Sequence, residues 1–253
     1  MQKLALLVLC GGILLSGCQS SSTAPVEVGK ASDSATATKP KEPEATSPVS
    51  EPEPASVAKI ADIPEKFKTD AYVYGGFEKL GEQTFTQTIT GQEPSEAVVT
   101  TTYLGMKDGF PQFERVRSGA MSAMGTDTVR LTEKGVDIVS MSLGKISGDT
   151  LELPASLAVG KSWTSKNVVT TESDKIDQSS TYKVVGMESV TVPAGKFNAL
   201  KITMTGTLKS TTLEGKITAT YWYAKNIGTV KTTITQQAKG ASSPLSLTIV
   251  LKK

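Results

Sequence analysis

Apolar and polar residues alternate along much of residues 60–253, and this period of two is the main structural signal of the chain. Near the C-terminus, Leu245, Leu247, Ile249 and Leu251 alternate with Ser246, Thr248, Val250 and Lys252. Successive side chains of a β-strand point to opposite faces, so this pattern predicts strands with one buried and one solvated face. β-Branched residues are frequent, and no long segment repeats apolar residues at helical spacing. The pattern predicts an all-β fold.

Three turns that end in glycine lie between strand-like runs: Lys107-Asp108-Gly109, Glu133-Lys134-Gly135 and Pro193-Ala194-Gly195. We expect each to be a type I turn followed by a left-handed glycine in a G1 bulge, joining neighbouring antiparallel strands. The spacing of such signals predicts about ten to thirteen strands, too many for a flat open sheet. A mainly antiparallel meander should therefore form a strongly curved sheet, a partial barrel or a sandwich.

Residues 60–253 are enough for a single β-rich domain. Helix is predicted at one place only, and there it is short. Asp62 is expected to cap one or two turns that run through Pro64, Glu65 and Phe67, because proline is tolerated early in a helix.

Residues 18–59 have the composition of a disordered tether. After Cys18 this segment contains six of the twelve prolines of the chain and no aromatic residue. Such a composition cannot bury enough apolar surface to offset the loss of chain entropy. The prolines among the glutamates favour extended polyproline II. The tether is expected to be a spacer, with contact to the cell wall or to a proline-recognising partner as the alternative.

The first 17 residues fit an export signal, with Lys3 in a positive n-region and an apolar run from Leu4 to Leu15. That run is too short to span a bilayer. The sequence Leu15-Ser16-Gly17-Cys18 resembles the lipobox of bacterial lipoproteins. The resemblance implies cleavage before Cys18 and lipidation of its thiol. Since Gln19 and Ser20 follow the cysteine, it also implies the periplasmic side of the outer membrane, or the extracytoplasmic face of the plasma membrane in a host with one membrane.

The formal net charge of +2 is too small to indicate a polyanionic partner. We therefore expect no nucleic-acid partner and no polybasic membrane patch. Two or three acyl chains on Cys18 would bind a membrane without help from the protein surface. An envelope protein, the cell wall or a lipid remain candidate partners, and the sequence leaves the oligomeric state open.

The later part of the domain resembles uncharacterised bacterial secreted envelope β-domains. The resemblance is carried by three stretches between Leu151 and Thr233: Val159-Gly160-Lys161-Ser162-Trp163, Val192-Pro193-Ala194-Gly195-Lys196-Phe197, and Tyr221-Trp222-Tyr223-Ala224 with Gly228-Thr229-Val230-Lys231. It implies an antiparallel β-fold in the cell envelope and no known activity.

The residues that are absent argue against catalysis. The chain has no histidine, which removes the commonest general base and the Ser-His-acid triad. Cys10 would leave with the signal and Cys18 would be acylated, so no thiol remains for attack, a disulfide or a metal. No motif indicates a cofactor. The residual candidates for hydrolysis are Glu152, Glu172 and Asp174, or Ser162 with Lys161 or Lys166. We therefore expect a protein that is not an enzyme.

Two binding hypotheses remain. In the first, the domain is an interaction or scaffold module that uses an exposed strand edge or an aromatic patch. In the second, it carries an apolar or lipid ligand in the cavity of a half-barrel. Met121 and Met124 favour the second, because methionines between small residues make adaptable apolar contacts.

The two tryptophans, Trp163 and Trp222, are the other candidate contacts. Strand alternation places Tyr221 and Tyr223 on one face and Trp222 on the other. We expect the tyrosines to face the core. Trp222 is then expected at the outer face or a cavity mouth, where a large amphipathic ring would be open to a ligand or partner.

Overall fold

The computed structural model describes residues 60–253. The predicted signal peptide (1–17), tether (18–59) and lipidated Cys18 lie outside the described residues. Within residues 60–253, no helix is long and apolar enough to cross a membrane.

The described part of the chain folds into one antiparallel sheet of thirteen strands. The strands are β1 (Gly81–Ile89), β2 (Ser95–Lys107), β3 (Phe110–Gly119), β4 (Thr126–Thr132), β5 (Gly135–Met141), β6 (Lys145–Gly148), β7 (Leu151–Pro154), β8 (Ser162–Thr170), β9 (Lys175–Val192), β10 (Gly195–Lys209), β11 (Glu214–Ala224), β12 (Gly228–Ala238) and β13 (Leu245–Leu251). The all-β, mainly antiparallel prediction is confirmed, as is the strong curvature of the sheet.

The two edge strands of the sheet are neighbours in the chain. The spatial order is β6-β8-β9-β10-β11-β12-β13-β1-β2-β3-β4-β5-β7, so β6 and β7 lie at opposite edges. Only Asp149 and Thr150 separate them. Since consecutive Cα atoms are about 3.8 Å apart, the two edges must approach each other at this point. The sheet therefore curls around a concave inner face without closing into a continuous ladder.

The three predicted hairpins join β2 to β3, β4 to β5 and β9 to β10 as expected. Gly135 and Gly195 both have a φ of 135°, so a glycine with positive φ ends each of these two turns. The first hairpin differs from the prediction. Asp108 and Gly109 both have positive φ, 52° and 79°, and form a two-residue loop between Lys107 and Phe110. Positive φ at both central residues defines a type I′ turn, which matches the twist of the strands.

A short helical segment precedes the sheet and packs against it. It has 3₁₀ turns at Ile60–Asp62 and Glu65–Phe67, followed by helix α1 at Asp70–Gly75. The short helical turn predicted through Pro64, Glu65 and Phe67 is present, but Asp62 does not cap it, because Pro64 occupies the N-cap position and Asp62 ends the preceding 3₁₀ turn. Helix α1 contacts β5, β7, β11 and β12. It therefore bridges strands from both halves of the curved sheet.

Buried side chains fix this segment in place. Phe67, Ala71, Tyr72, Tyr74 and Phe77 are buried, and the Phe77 and Phe113 ring centroids are 4.6 Å apart. The carboxylate of Asp70 accepts a hydrogen bond of 2.9 Å from the backbone N–H of Leu157. The aromatic residues close one part of the concave face, and the rest of that face remains available for a site.

Candidate functional site

Strand alternation directs two arginines to the inner face of the sheet. On β3, Phe113 is fully buried in the core, and Arg115 and Arg117 follow it at intervals of two residues. Arg115 lies opposite Asp127 of β4 in the register, and Glu152 comes from the edge strand β7. Because strand residues two apart share a face, the fold brings all four charged side chains to the concave side.

The four side chains form one ion-pair network. Arg115 donates to Asp127 through Nε (2.7 Å) and Nη2 (3.0 Å). It also donates to Glu152 through Nη1 (3.1 Å) and Nη2 (2.8 Å). Arg117 donates from Nη2 to Oδ2 of Asp127 at 2.8 Å. The order Arg117, Asp127, Arg115, Glu152 alternates in sign, and the formal charges sum to zero.

Burial makes these contacts strong. The side chain of Asp127 is 1% exposed and that of Arg117 is 8% exposed. Burial alone raises the pKa of Asp127, but Arg115 and Arg117 outweigh that effect and hold the pKa below its usual value. Burial alone lowers the pKa of Arg115, and the two carboxylates more than reverse this. Asp127 and Arg115 are therefore both charged at neutral pH.

One donor of the network is left over. Nη1 of Arg117 is buried and has no hydrogen-bond partner among residues 60–253. A buried donor without a partner costs free energy, and more so when it belongs to a charged group. By contrast, both oxygens of Asp127 and both oxygens of Glu152 accept hydrogen bonds. The network can therefore still donate to a further acceptor, from the Arg117 end.

The arginines line a cleft of about 140 Å³. Its walls are formed by Gly75, Gln83, Phe85, Val99, Thr101, Arg115, Arg117, Met121, Met124, Glu152, Tyr221, Tyr223, Thr229, Thr232 and Ile249. Charged groups thus share one space with aromatic rings and two thioethers. Polar and charged groups that converge on a partly apolar cleft are typical of small-molecule sites.

Two tyrosines of β11 face this cleft. The ring centroids of Tyr221 and Tyr223 are 6.0 Å apart, with their planes 25° from parallel. Burial raises the pKa of Tyr223 far above its usual value, and the nearby charge of Glu152 adds to the effect. The Tyr223 hydroxyl is therefore neutral under all ordinary conditions, and it can supply a dipole but no charge.

The structure separates the four contact residues that the sequence suggested. Met121 and Met124 are buried in the connection between β3 and β4, and both line the cleft. Trp163 is half-buried on β8 and stacks on Tyr182, with ring centroids 4.9 Å apart and planes 6° from parallel. Trp222 is on the other face of the sheet from the cleft. Of the four suggested residues, Met121 and Met124 line the cleft, whereas Trp163 and Trp222 do not.

The outer surroundings of Trp222 differ from the expectation. The face assignment relative to the tyrosines is confirmed, since Lys201 and Lys231 place their ammonium nitrogens 5.5 and 4.9 Å from the Trp222 ring centroid. The expectation of an open ring is corrected, because Trp222 is only 8% exposed. Both lysines are directly opposite Trp222 in the register, on β10 and β12. Their aliphatic stems cover the ring.

Sequence reasoning missed Arg115, Arg117 and Asp127. One signal was available, because Phe113 is apolar and shares its face with both arginines. The neighbouring Val116 gave the opposite signal, since it is a large apolar residue that the fold leaves exposed on the outer face. Glu152 was named only as a candidate acid, and its partner Arg115 is 37 positions away in the chain.

The other candidate catalytic groups do not join the network. Asp174 accepts hydrogen bonds from Thr211 and from the backbone N–H of Lys175 at a surface turn. Glu172, Ser162 and Lys166 are exposed. Within residues 60–253 there is also no group of three or more acidic, histidine or cysteine residues that could hold a metal ion.

Residues 122–242 match the model of the DUF3108-like family. The match contains the whole stretch from Leu151 to Thr233 that resembles secreted envelope β-domains. Of the network, Asp127 and Glu152 lie inside the match, and Arg115 and Arg117 lie outside it. A comparison with proteins of curated function finds no match.

The fold is similar to that of solved bacterial proteins. A proposed lipoprotein from Parabacteroides distasonis has 14% identity and a TM-score of 0.50, over 70% of this chain and 95% of that chain. A proposed exported protein with a YmcC-like fold from Bacteroides fragilis has 16% identity and a TM-score of 0.49, over 69% of this chain and 95% of that chain. The hypothetical lipoprotein YmcC from Escherichia coli has 14% identity and a TM-score of 0.36, over 73% of this chain and 90% of that chain. The likeness to the Parabacteroides distasonis protein, whose TM-score reaches 0.50, shows similarity of fold alone.

Proposed function

We propose that this protein is a lipid-anchored protein of the bacterial cell envelope that acts by binding a small ligand on the inner face of its sheet. The observation that carries the proposal is the cleft itself. It combines apolar walls, including Met121 and Met124, with Arg117, whose Nη1 has no partner among the described residues. A polar group left unsatisfied beside a cleft is the kind of group that a ligand can satisfy.

The envelope location is supported by two independent observations. The sequence ending in Cys18 resembles a lipobox, and the structural neighbour from Parabacteroides distasonis carries the name of a lipoprotein. Cys18→Ala should release the protein from membranes, because no second anchor of comparable strength is evident in the sequence. Fractionation with fatty-acid labelling measures this, and a variant that still sediments with membranes after a high-salt wash would refute lipid anchoring.

A role in binding fits the network better than a role in hydrolysis. A pair of carboxylates that hydrolyses glycosides needs one group that gives and takes protons near neutral pH. Asp127 instead has a lowered pKa and two arginine partners. Both oxygens of Glu152 are held by Arg115. These contacts support a positioning role for both carboxylates.

The size of the cleft favours a small ligand over a whole lipid. Sites for drug-sized ligands usually measure about 300–1,000 Å³. The present cleft, at about 140 Å³, is well below that range. An acyl chain would need more space than this cleft offers, whereas a small ligand needs only the observed space.

Native mass spectrometry of the full-length protein, purified from its host envelope in mild detergent, tests the proposal. We expect a small bound molecule that dissociates on activation. Val99→Phe should abolish it, because Val99 lines the cleft and a phenyl ring would fill it. Val185→Phe is the matched control, since Val185 is exposed on β9. A protein partner retained equally by all three forms, with no small molecule, would favour the scaffold hypothesis instead.

A further inference from the structure

The charge order of the network makes its two ends different. Arg117 stands at one end and Glu152 at the other, with Asp127 and Arg115 between them. The carboxylates nearest to Arg117 and Arg115 are already fully engaged, so the Arg117 end presents a positive charge and a spare N–H donor. Hydrogen bonds from a guanidinium to an anionic oxygen are stronger than those between neutral groups.

The apolar walls set the size of what can approach that donor. A cavity of about 150 Å³ with apolar walls can bind a molecule the size of benzene. The cleft, of about 140 Å³, has Phe85, Met121 and Met124 among its walls. Thioethers make favourable contacts with aromatic rings and adapt their shape to irregular ligands.

We infer that the cleft binds a small monocarboxylic acid with a compact apolar body, whose carboxylate accepts from Nη1 of Arg117 while its body packs against Met121 and Met124. This inference rests on the proposed function, and it assigns the ligand class for that same site. The carboxylate would satisfy the one buried nitrogen of the network that has no hydrogen-bond partner among residues 60–253.

The charges around the site favour a single negative charge on the ligand. A neutral amide offers an acceptor oxygen but gains less from the guanidinium. A phosphate dianion gains more from Arg117, but its second charge is repelled by Asp127 and Glu152 in a partly dehydrated site. The network therefore favours a ligand with one negative charge over neutral and doubly charged ones, and the small volume of the cleft excludes large ligands.

Methionine methyl groups report on the cleft directly. Of the seven methionines, Met121 and Met124 line it, whereas Met106 and Met187 are exposed on the sheet. Full-length protein in a nonionic detergent, labelled with ¹³C at the methionine methyl groups, would be titrated with benzoate, benzamide and phenyl phosphate. Met106 and Met187 serve as internal controls for nonspecific effects.

We expect benzoate to shift the Met121 and Met124 signals saturably and to leave those of Met106 and Met187 in place. Benzamide should bind about tenfold or more weakly, the size of effect expected for one hydrogen bond to a charged group. Phenyl phosphate should also bind more weakly than benzoate, because its second charge is repelled by Asp127 and Glu152. Arg117→Met should weaken benzoate binding by a similar factor, with little effect on benzamide. Arg130→Met is the control, because Arg130 pairs with Asp137 away from the cleft.

The comparison of probes on the wild-type protein needs no variant, so it decides the matter even if Arg117→Met fails to fold. Equal binding of benzoate and benzamide would overturn the inferred ligand class and leave the proposed function standing. If no probe shifts Met121 or Met124, the inferred class is also wrong. If, in addition, native mass spectrometry finds no small molecule, the proposed function fails with it.

Discussion

Two cation-rich clusters lie on opposite faces of the same sheet, and their positive charges are stabilised in different ways. On the inner face, the largely buried side chains of Arg115 and Arg117, 15% and 8% exposed, pair with Asp127. On the outer face, Lys201 and Lys231 lie over the Trp222 ring with their charges near water. The inner cations need partners because they are dehydrated, and the outer cations need none because water remains available to them.

The difference separates a candidate site from a covering layer. In the inner cluster every charge is fixed by hydrogen bonds, and one donor is left for a ligand. In the outer cluster the lysine stems shield an aromatic ring, and the nearby Glu188 pairs with Lys201 at 2.8 Å in an exposed contact. The sequence thus pointed to Trp222 as a contact residue, but the structure places its ring beneath the lysines, and Arg115 and Arg117 line the cleft.

The largest expected effect is that of Asp127→Asn, which leaves two buried guanidinium groups without their shared counter-charge. Breaking a buried ion pair by removing one partner costs about 3–5 kcal/mol. Urea denaturation of the variant and the wild type measures this. The matched outer change, Glu188→Gln, should leave the midpoint unchanged. Similar losses for both variants would show that the inner network is as solvated as the outer pair.

The second effect tests the burial of Trp222. Because the ring is 8% exposed, Trp222→Ala should cost about 3–5 kcal/mol, as removal of a large buried aromatic does. An open ring would have made this substitution nearly neutral. Met187→Ala, at a position that is 47% exposed, is the control and should change the melting temperature little. If both substitutions are equally mild in thermal melts, the lysines do not cover the ring in solution.

The third effect is a pH dependence that belongs to the inner cluster. The pKa of Asp127 is lower in the folded protein than the usual value near 4, so its contribution to stability is complete above that value. The contribution is lost as the pH falls through the lowered pKa and Asp127 takes up a proton. The gap in unfolding free energy between the wild type and Asp127→Asn should therefore narrow on acidification. A gap that stays constant from pH 7 to pH 2 would contradict the assignment.

Local signals of the sequence predicted the sheet but not the cluster. Hairpins and strand faces depend on neighbouring residues, so Gly135, Gly195 and the faces of Tyr221 and Trp222 followed from the sequence. Helix α1, with only six residues, is too short for a helical period to show. The burial of Trp222 depends on lysines from two other strands, and the pairing of Arg115 with Glu152 depends on how far the sheet curls. Neither the burial of Trp222 nor the pairing of Arg115 with Glu152 can be predicted from a single segment of the chain.

The smallest expected effect separates the charge of an outer lysine from its stem. Lys201→Met keeps a long apolar side chain over Trp222 and removes the ammonium group, with its contacts to the ring and to Glu188. Each of these exposed contacts contributes no more than about 1 kcal/mol, so the loss should be small. Lys201→Ala also removes the cover and should cost more. The difference between Lys201→Met and the wild type should shrink at high salt, since an exposed charge is screened, whereas the further loss in Lys201→Ala should persist. Urea midpoints at two salt concentrations measure the loss that comes from the charge and the loss that comes from the aliphatic stem. Equal losses of stability in Lys201→Met and Lys201→Ala would show that the charge of Lys201, and not the packing of its aliphatic stem on Trp222, stabilises the outer cluster. The outer cluster would then depend on charge, as the inner one does.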